Sequence, residues 1–400
     1  MHPELSSKRE WALLLVLAGI QFSHVLDFMI MMPLGPQLIE AFQISDSQFG
    51  LLVSAYTFAA GLSGLLASTY VDRFERKALL SVLYGLFALA TFSCAFAPGF
   101  GVLMVARVAA GLFGGVLSAM TQTIVGDVIP FARRGKAMGV VMTAFSVSSV
   151  MGVPVSLWVA AHTSWHAPFV GVGVLSVALL LVAQYALPRM GQHLVQDDRL
   201  TTTELMTQVL GDTNHWRGFA LSFFMIFAGF SIIPYITLYM QTNAGLSTDQ
   251  IPLVYLCGGA ATLFTANILG KLTDRWGKVP TFTAVTLLSI VPMTLVTNVA
   301  GAPLPVILLV TTGFFIFVSG RRIPAMALLA SVTKPNLRGT FITLNTSIQS
   351  AGMGLGALVG GMLISRNSEG LLTGYWMCSV MALGTNLLTI WMARRLKVRD

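Results

Sequence analysis

The chain has 400 residues, of which 24 are basic and 16 acidic, so only 10% carry a charge. Soluble domains run to roughly 25%. A hydrophobic fraction of 55% and a mean hydropathy of +0.77 are more than the interior of a 42.9 kDa soluble protein can hide. This composition excludes a cytosolic enzyme, a disordered chain and a secreted disulfide scaffold, and leaves a polytopic membrane protein. In a soluble chain the net charge of +8 would point to nucleic acid; here it has to be mapped onto loops first.

Lys8 and Arg9 precede the apolar run 11–20 in the manner of a signal peptide. No small-x-small cleavage site follows and the run continues past Met32, so an uncleaved first transmembrane helix is expected. A crossing helix needs about 20 mostly apolar residues. Such runs fall at 11–34, 48–70, 78–97, 101–128, 138–160 and 168–187, then at 218–240, 251–272, 280–299, 304–332, 340–364 and 371–393. The expected architecture is an all-α membrane protein of twelve transmembrane helices, arranged as a six-helix bundle over 1–187, a cytosolic linker over 188–217 and a second bundle over 218–400. Within the linker, Thr203 to Leu210 is expected to form a short surface helix. Cys94, Cys257 and Cys378 lie in apolar runs without paired spacing, which argues against disulfides or a zinc site.

With the N-terminus inside, 20 of the 24 basic residues fall on inner segments, and the outer loops hold only Arg366 beside Glu40, Asp46, Asp249 and Glu369. Positive-inside asymmetry therefore places both termini in the cytosol. The remaining three, Arg107, Arg321 and Arg322, fall within spans.

The halves repeat. Asp72-Arg73 after span two matches Asp274-Arg275 after span eight at an offset of 202, Arg134-Gly135 matches Arg338-Gly339 at 204, and Pro33 matches Pro234 at 201. Parallel repeats about a central cavity are a transporter architecture. The offset sets Arg321 and Arg322 opposite Leu117 and Ser118, inside the membrane.

These motifs carry a resemblance. Asp72-Arg73-x-x-Arg76-Lys77 and Gly270-Lys271-Leu272-Thr273-Asp274-Arg275-Trp276-Gly277-Lys278 resemble the loop signature of the major facilitator superfamily. Leu103-x-x-x-Arg107-x-x-x-Gly111 resembles its span-four motif, and Gly152-Val153-Pro154 is a loose form of its antiporter motif. Asp27 stands where the proton-linked drug and sugar efflux branch, the twelve-helix drug:proton antiporters, has an acidic residue. Ser68 and Glu75 depart from the pattern by replacing glycines of the first loop. The resemblance implies a monomeric alternating-access carrier in a bacterial-type inner membrane that exports a small organic solute in exchange for protons. A symporter or uniporter of the same fold is the alternative. No cofactor beyond the proton gradient is expected, and no nucleic-acid partner; the expected partners are a small-molecule substrate, protons and lipid. No nucleophile elbow, phosphate-cradling loop or metal-ligand cluster points to an enzyme or a metal site.

Asp27 is the only acidic residue deep in a span, where a carboxylate costs ~2.5–3.5 kcal/mol on insertion scales and must find a partner or water. Its apolar surroundings penalise the charged form, as a carrier that takes up and releases protons requires. His24 and Gln21 precede it by one and two turns, so the three share a face expected to line the central cavity. The plain alternative is a structural ion pair between Asp27 and Arg107, and the resemblance makes Arg107 the sensor of Asp27 protonation. Arg321 and Arg322 have no acidic neighbour in their span and point about 100° apart, so at most one faces the cavity squarely. They suit an anionic or zwitterionic solute; alternatively they reach inner headgroups or bond carbonyls at a gate. Asn345 and Gln349, in the polar run of span eleven, are expected either at the cavity or in bonds between spans. The Asp72, Arg73, Arg76 and Asp274, Arg275, Lys278 clusters resemble cytosolic gate latches that pair with carboxylates at the neighbouring half, Asp127 at the inner end of span four being the candidate; contact with anionic lipid is the simpler reading.

Overall fold

The computed structural model describes residues 7–188, 190, 202–334 and 337–398. The linker charges Asp197, Asp198 and Arg199, and the side chain of Asp72, lie outside the described residues. The described residues are helical apart from loops and one short hairpin, in which β1 (Ser365–Arg366) pairs antiparallel with β2 (Leu372–Thr373). Eleven stretches among the described residues are long and apolar enough to cross a membrane. A further helix, Arg338–Leu363, has 26 residues and the required length, but Asn345, Thr346, Ser347, Gln349 and Ser350 dilute its apolar character. It completes twelve.

Two compact units make up the chain. One comprises 1–31 and 58–199, the other 32–57 and 200–400. In the first, α1 (Ser7–Ile30) packs on α4 (Arg76–Ala95), α5 (Phe100–Val128), α6 (Phe131–Val147), α7 (Val153–His162) and α8 (His166–Ala186), and α4 packs on α5 and α8. In the second, α10 (Thr213–Phe230) packs on α16 (Arg338–Leu363) and α17 (Tyr375–Arg395). There α12 (Ile251–Trp276) packs on α14 (Leu304–Gly320), and α13 (Lys278–Val296) packs on α14 and α17. The second unit also takes in α2 (Gly35–Phe42) and the start of α3 (Asp46–Tyr70). The short linker helix α9 runs from Thr202 to Leu210.

Prolines break these helices where their missing N–H and ring clash with the i−4 carbonyl require it. The first span of each half yields at the matched prolines. Turns at 31–34, around Pro33, separate α1 from α2, and a 3-10 turn at Ile233–Tyr235, around Pro234, separates α10 from α11 (Ile236–Thr242). Before Pro154 a π-helical turn, Ser148–Gly152, joins α6 to α7. Pro324 breaks span ten: α14 stops at Gly320, four residues earlier, and α15 (Arg322–Ala330) restarts after Arg321.

The two Asp-Arg loops make one turn by different means. Gly277 takes φ +93°, a left-handed value that a side chain resists, and passes the chain from α12 directly into α13. Glu75, its counterpart in the repeat, is extended (φ −62°, ψ 128°) and caps α4, its carboxylate accepting from Lys77 N and Ala78 N at 3.1 and 2.8 Å.

Candidate functional site: a buried carboxylate–guanidinium pair

Asp27, three residues before the end of α1, is completely buried, and so is Arg107 on α5. Arg107 Nη1 donates to Asp27 Oδ2 at 2.8 Å, while Thr91 Oγ1 of α4 donates to Oδ1 at 3.3 Å. Cys94, one turn after Thr91, lies against Arg107. In such an apolar setting neither charge is stable alone; breaking a buried pair by removing one partner costs about 3–5 kcal/mol. The arrangement has two charge states. Ionised, Asp27 holds Arg107; protonated, it no longer balances the guanidinium.

The rest of the α1 polar face is fastened to the same helices. Thr121 Oγ1 of α5 donates to Gln21 Oε1 at 3.1 Å, and Ser23 Oγ shares a 2.7 Å hydrogen bond with Tyr84 of α4. His24 is buried one turn before Asp27. The π turn closes the opposite side: Ser148 Oγ donates to Phe22 O at 3.3 Å. A Cβ on Gly152 would come within 2.8 Å of Leu26 Cδ1 and 3.3 Å of Phe22 Cζ. Gly152 and Pro154 therefore let span five press against span one beside Asp27. Thr91, Ser148 and Thr121 escape a reading of the sequence, because Ser and Thr within a span usually bond their own helix.

The sequence model of the Major Facilitator Superfamily matches residues 17–357 and, in a second match, 218–399. The chain belongs to the major facilitator superfamily. It is a multi-pass membrane transporter of that family, with the all-α fold expected from its spans. Among curated relatives, the MFS-type transporter YceJ of Bacillus subtilis is 26% identical over 366 residues, 89% of this chain and 90% of the relative. YtbD of the same organism is 24% identical over 395 residues, 97% and 96% of the two chains. Among solved structures, a D-xylose-proton symporter superposes with a TM-score of 0.78 at 19% identity, covering 95% of this chain and 96% of that one. A bacterial homologue of the human lysosomal transporter Spinster, inward-facing and unoccupied, gives 0.77 at 18%, covering 98% and 95%. At these identities the structures speak for the fold.

The remaining predicted residues fall into three groups. In the first loop, Arg76 is buried, donating from Nε to Asp127 Oδ2 at 3.0 Å and from Nη1 to Val71 O at 2.8 Å. Asp127 thus takes its cation from its own unit, and Arg73 is exposed. The Met190 backbone joins this cluster: its N–H reaches Glu75 Oε1 at 2.6 Å and its carbonyl accepts from Arg76 N at 3.2 Å. Burial works against the Glu75 charge, but N–H donors from Met190, Ala78 and Lys77, with the Lys77 charge, outweigh it and hold the carboxyl below the usual carboxylate range. In the second loop, Asp274 and Arg275 are exposed at the end of α12 and Lys278 is half-buried at the start of α13.

The third group lies in the second unit. Arg321 is buried at the α14–α15 break, its Nη1 donating to Asn386 Oδ1 of α17 and its Nη2 to Met225 O of α10 at 2.8 Å. Arg322 is half-buried. Asn345 and Gln349 are buried one turn apart on α16, and the Asn345 Oδ1 has no hydrogen-bond partner among the described residues.

Proposed function

We propose that this transporter couples proton movement to the export of a small organic solute, with Asp27 as the proton carrier and Arg107 as its electrostatic partner. The buried Asp27–Arg107 ion pair at 2.8 Å carries the reading. A carboxylate placed in hydrocarbon is a functional site by default, and this one is paired with a guanidinium whose balance changes when a proton arrives. Protonation removes the negative charge opposite Arg107, and the bundle then repacks around the altered balance or admits another anion. That is the differential interaction by which a proton biases one conformation over another. Thr91 holds the second carboxylate oxygen, and the Gly152–Pro154 turn fixes the helix that carries Asp27. The Glu75–Arg76–Asp127–Met190 cluster serves as a latch at the cytosolic end of the first unit, with both termini on that side by the positive-inside distribution. The location that fits is a bacterial plasma membrane, with the carrier working as a monomer.

The D-xylose-proton symporter keeps the opposite flux direction in play for this fold. Proteoliposomes loaded with solute and given an imposed pH gradient separate the two: efflux driven by inward proton flow supports export, and accumulation supports symport. Asp27→Asn is expected to abolish proton-driven flux while leaving counterflow exchange; intact driven flux in that variant would overturn the assignment.

A further inference from the structure

Three guanidiniums are deeply buried among the described residues, and two of them have carboxylates: Arg76 pairs with Asp127 and Arg107 with Asp27. Arg321 is 1% exposed and forms no ion pair among the described residues. Two of its nitrogens bond neutral acceptors, Asn386 Oδ1 and Met225 O, and its Nε–H has no acceptor among the described residues. Among the described residues of its unit the acidic side chains, Glu40, Asp46, Glu204, Asp212, Asp249, Asp274 and Glu369, all lie at helix ends or outside the spans, and none of them pairs with it. Neutral acceptors satisfy hydrogen bonds but do not cancel charge, and an uncompensated buried cation costs several kcal/mol.

The surroundings of Arg321 favour an anion. It occupies the one-residue break between α14 and the nine-residue α15, at the end of α15 where the helix dipole is positive. On α10 the backbone opposite is bare: a Cβ on Gly229 would stand 3.6 Å from Arg321 Nη2. Ser222, one turn before Met225 on α10, is fully buried with an Oγ that bonds nothing among the described residues. Unused donors, a bare backbone and an unbalanced charge thus share one region of the unit.

We propose that this break is a binding site for a carboxylate group of the transported solute, gripped by the Arg321 fork in place of Asn386 and the Met225 carbonyl. The inference rests on the transport reading above and narrows its solute to organic carboxylates. A guanidinium edge matches a carboxylate through two parallel hydrogen bonds. One negative charge balances the deep guanidinium, whereas a phosphate dianion would add a second charge to desolvate.

The test uses the purified full chain in detergent, with benzoate, its neutral isostere benzamide, and inorganic phosphate as probes of thermal unfolding. Benzoate is expected to raise the unfolding temperature of the wild type in a concentration-dependent way, and benzamide and phosphate to leave it unchanged. Arg321→Met should abolish the benzoate shift and, without ligand, unfold at or above the wild-type temperature, because it removes an unbalanced charge. Arg321→Lys, which keeps the charge but loses the fork, should weaken apparent benzoate affinity by about tenfold or more. Asp27→Asn should keep the benzoate shift even where it abolishes proton-driven flux, so failure of proton coupling remains distinguishable from failure of this site. The site is overturned if benzoate gives no shift, if benzamide or phosphate matches it, if Arg321→Met retains it, or if ligand-free Arg321→Met unfolds well below the wild type.

Discussion

Arg366 and Asp46, 320 positions apart in sequence, meet through two hydrogen bonds: Nε to Oδ2 at 3.0 Å and Nη2 to Oδ1 at 2.9 Å. The hairpin after α16 thereby grips the first residue of α3 within the second unit. Beside this clamp Ser54 Oγ donates to Gly354 O at 2.7 Å and Tyr235 Oη to Ala357 O at 2.5 Å, so the start of α3 and the outer turn of span seven share α16 as their support.

The burial of the clamp is lopsided, and this predicts an asymmetry between its variants. The Asp46 side chain is 7% exposed and that of Arg366 38%. Arg366→Gln strands a buried carboxylate, whereas Asp46→Asn releases an arginine to water. Arg366→Gln is expected to lose about 2–3 kcal/mol and Asp46→Asn about half of that, as measured by unfolding of the purified protein. Equal losses would mean that the carboxylate is solvated in the protein as it exists in solution.

Thr91 predicts a change in pH response without loss of fold. Thr91→Val removes a donor to the ionised Asp27 and keeps the shape of the side chain. The groups around that carboxylate are Arg107 on α5, Cys94 on α4 and His24 on its own helix; the basic residues of α6 lie at the far end of that helix, and His166 of α8 bonds the Ala95 carbonyl instead. With one donor gone, half-maximal proton-driven flux should move to higher pH, and Thr91→Ser should restore the wild-type profile. A Thr91→Val profile that overlays the wild type would assign Thr91 a packing role only.

Gly152 predicts a steric effect at the same site. Gly152→Val places two methyl groups where Leu26 and Phe22 already sit, and overpacking of this kind costs about 1–3 kcal/mol. The strain falls on the turn of α1 that carries Asp27, so transport should fall well before expression does. Gly152→Ala, which requires the tip of Leu26 to shift and the Phe22 ring to give slightly, should keep a substantial part of the flux.

Glu75 predicts an acid-sensitive step outside the membrane. Its carboxyl is held below the usual carboxylate range, so the stability it contributes is complete above the value it has in the unfolded chain and is lost as pH falls through its lower value in the folded protein. The Glu75→Gln variant should be less stable than the wild type at neutral pH by about 0.5–2 kcal/mol, as for other lost caps. The gap between the two should close in acid. A gap that persists unchanged into strong acid would mean that the carboxyl has no ionic role.

What could be read from the sequence, and what could not, follows from the range of each interaction. Spans and repeat are carried by runs of about 20 apolar residues and by prolines, whose effects are local; Pro33 and Pro234 both mark breaks. Pro324 held the same signal for the break at Arg321, four residues after Gly320. That Arg107 approaches span one could be argued from the scarcity of intramembrane carboxylates. The Glu75–Met190 hydrogen bond, the choice of Arg76 as the cation of Asp127, and the Arg366 grip on Asp46 depend on which helices pack together, and no local pattern encodes that. Glu75 shows the point most plainly: as a substitute for a loop glycine it reads as a departure, and in the fold it caps a helix and fastens a second chain segment.

The Arg76–Asp127 pair repeats the asymmetry of the Asp46 clamp with the signs exchanged. Here the cation is buried, at 3% exposure, and the carboxylate is 38% exposed. Asp127→Asn takes a carboxylate away from the buried Arg76 guanidinium, which keeps the Val71 carbonyl, whereas Arg76→Met leaves an aspartate that water can solvate. Asp127→Asn should therefore destabilise more than Arg76→Met, and adding Arg76→Met to Asp127→Asn should recover part of the loss. The coupling expected from a double-mutant cycle is about 1–3 kcal/mol. High salt should narrow it only slightly, since the buried nitrogen is poorly screened. A coupling near zero would show that the Arg76–Asp127 contact adds nothing to stability in the protein as it exists in solution.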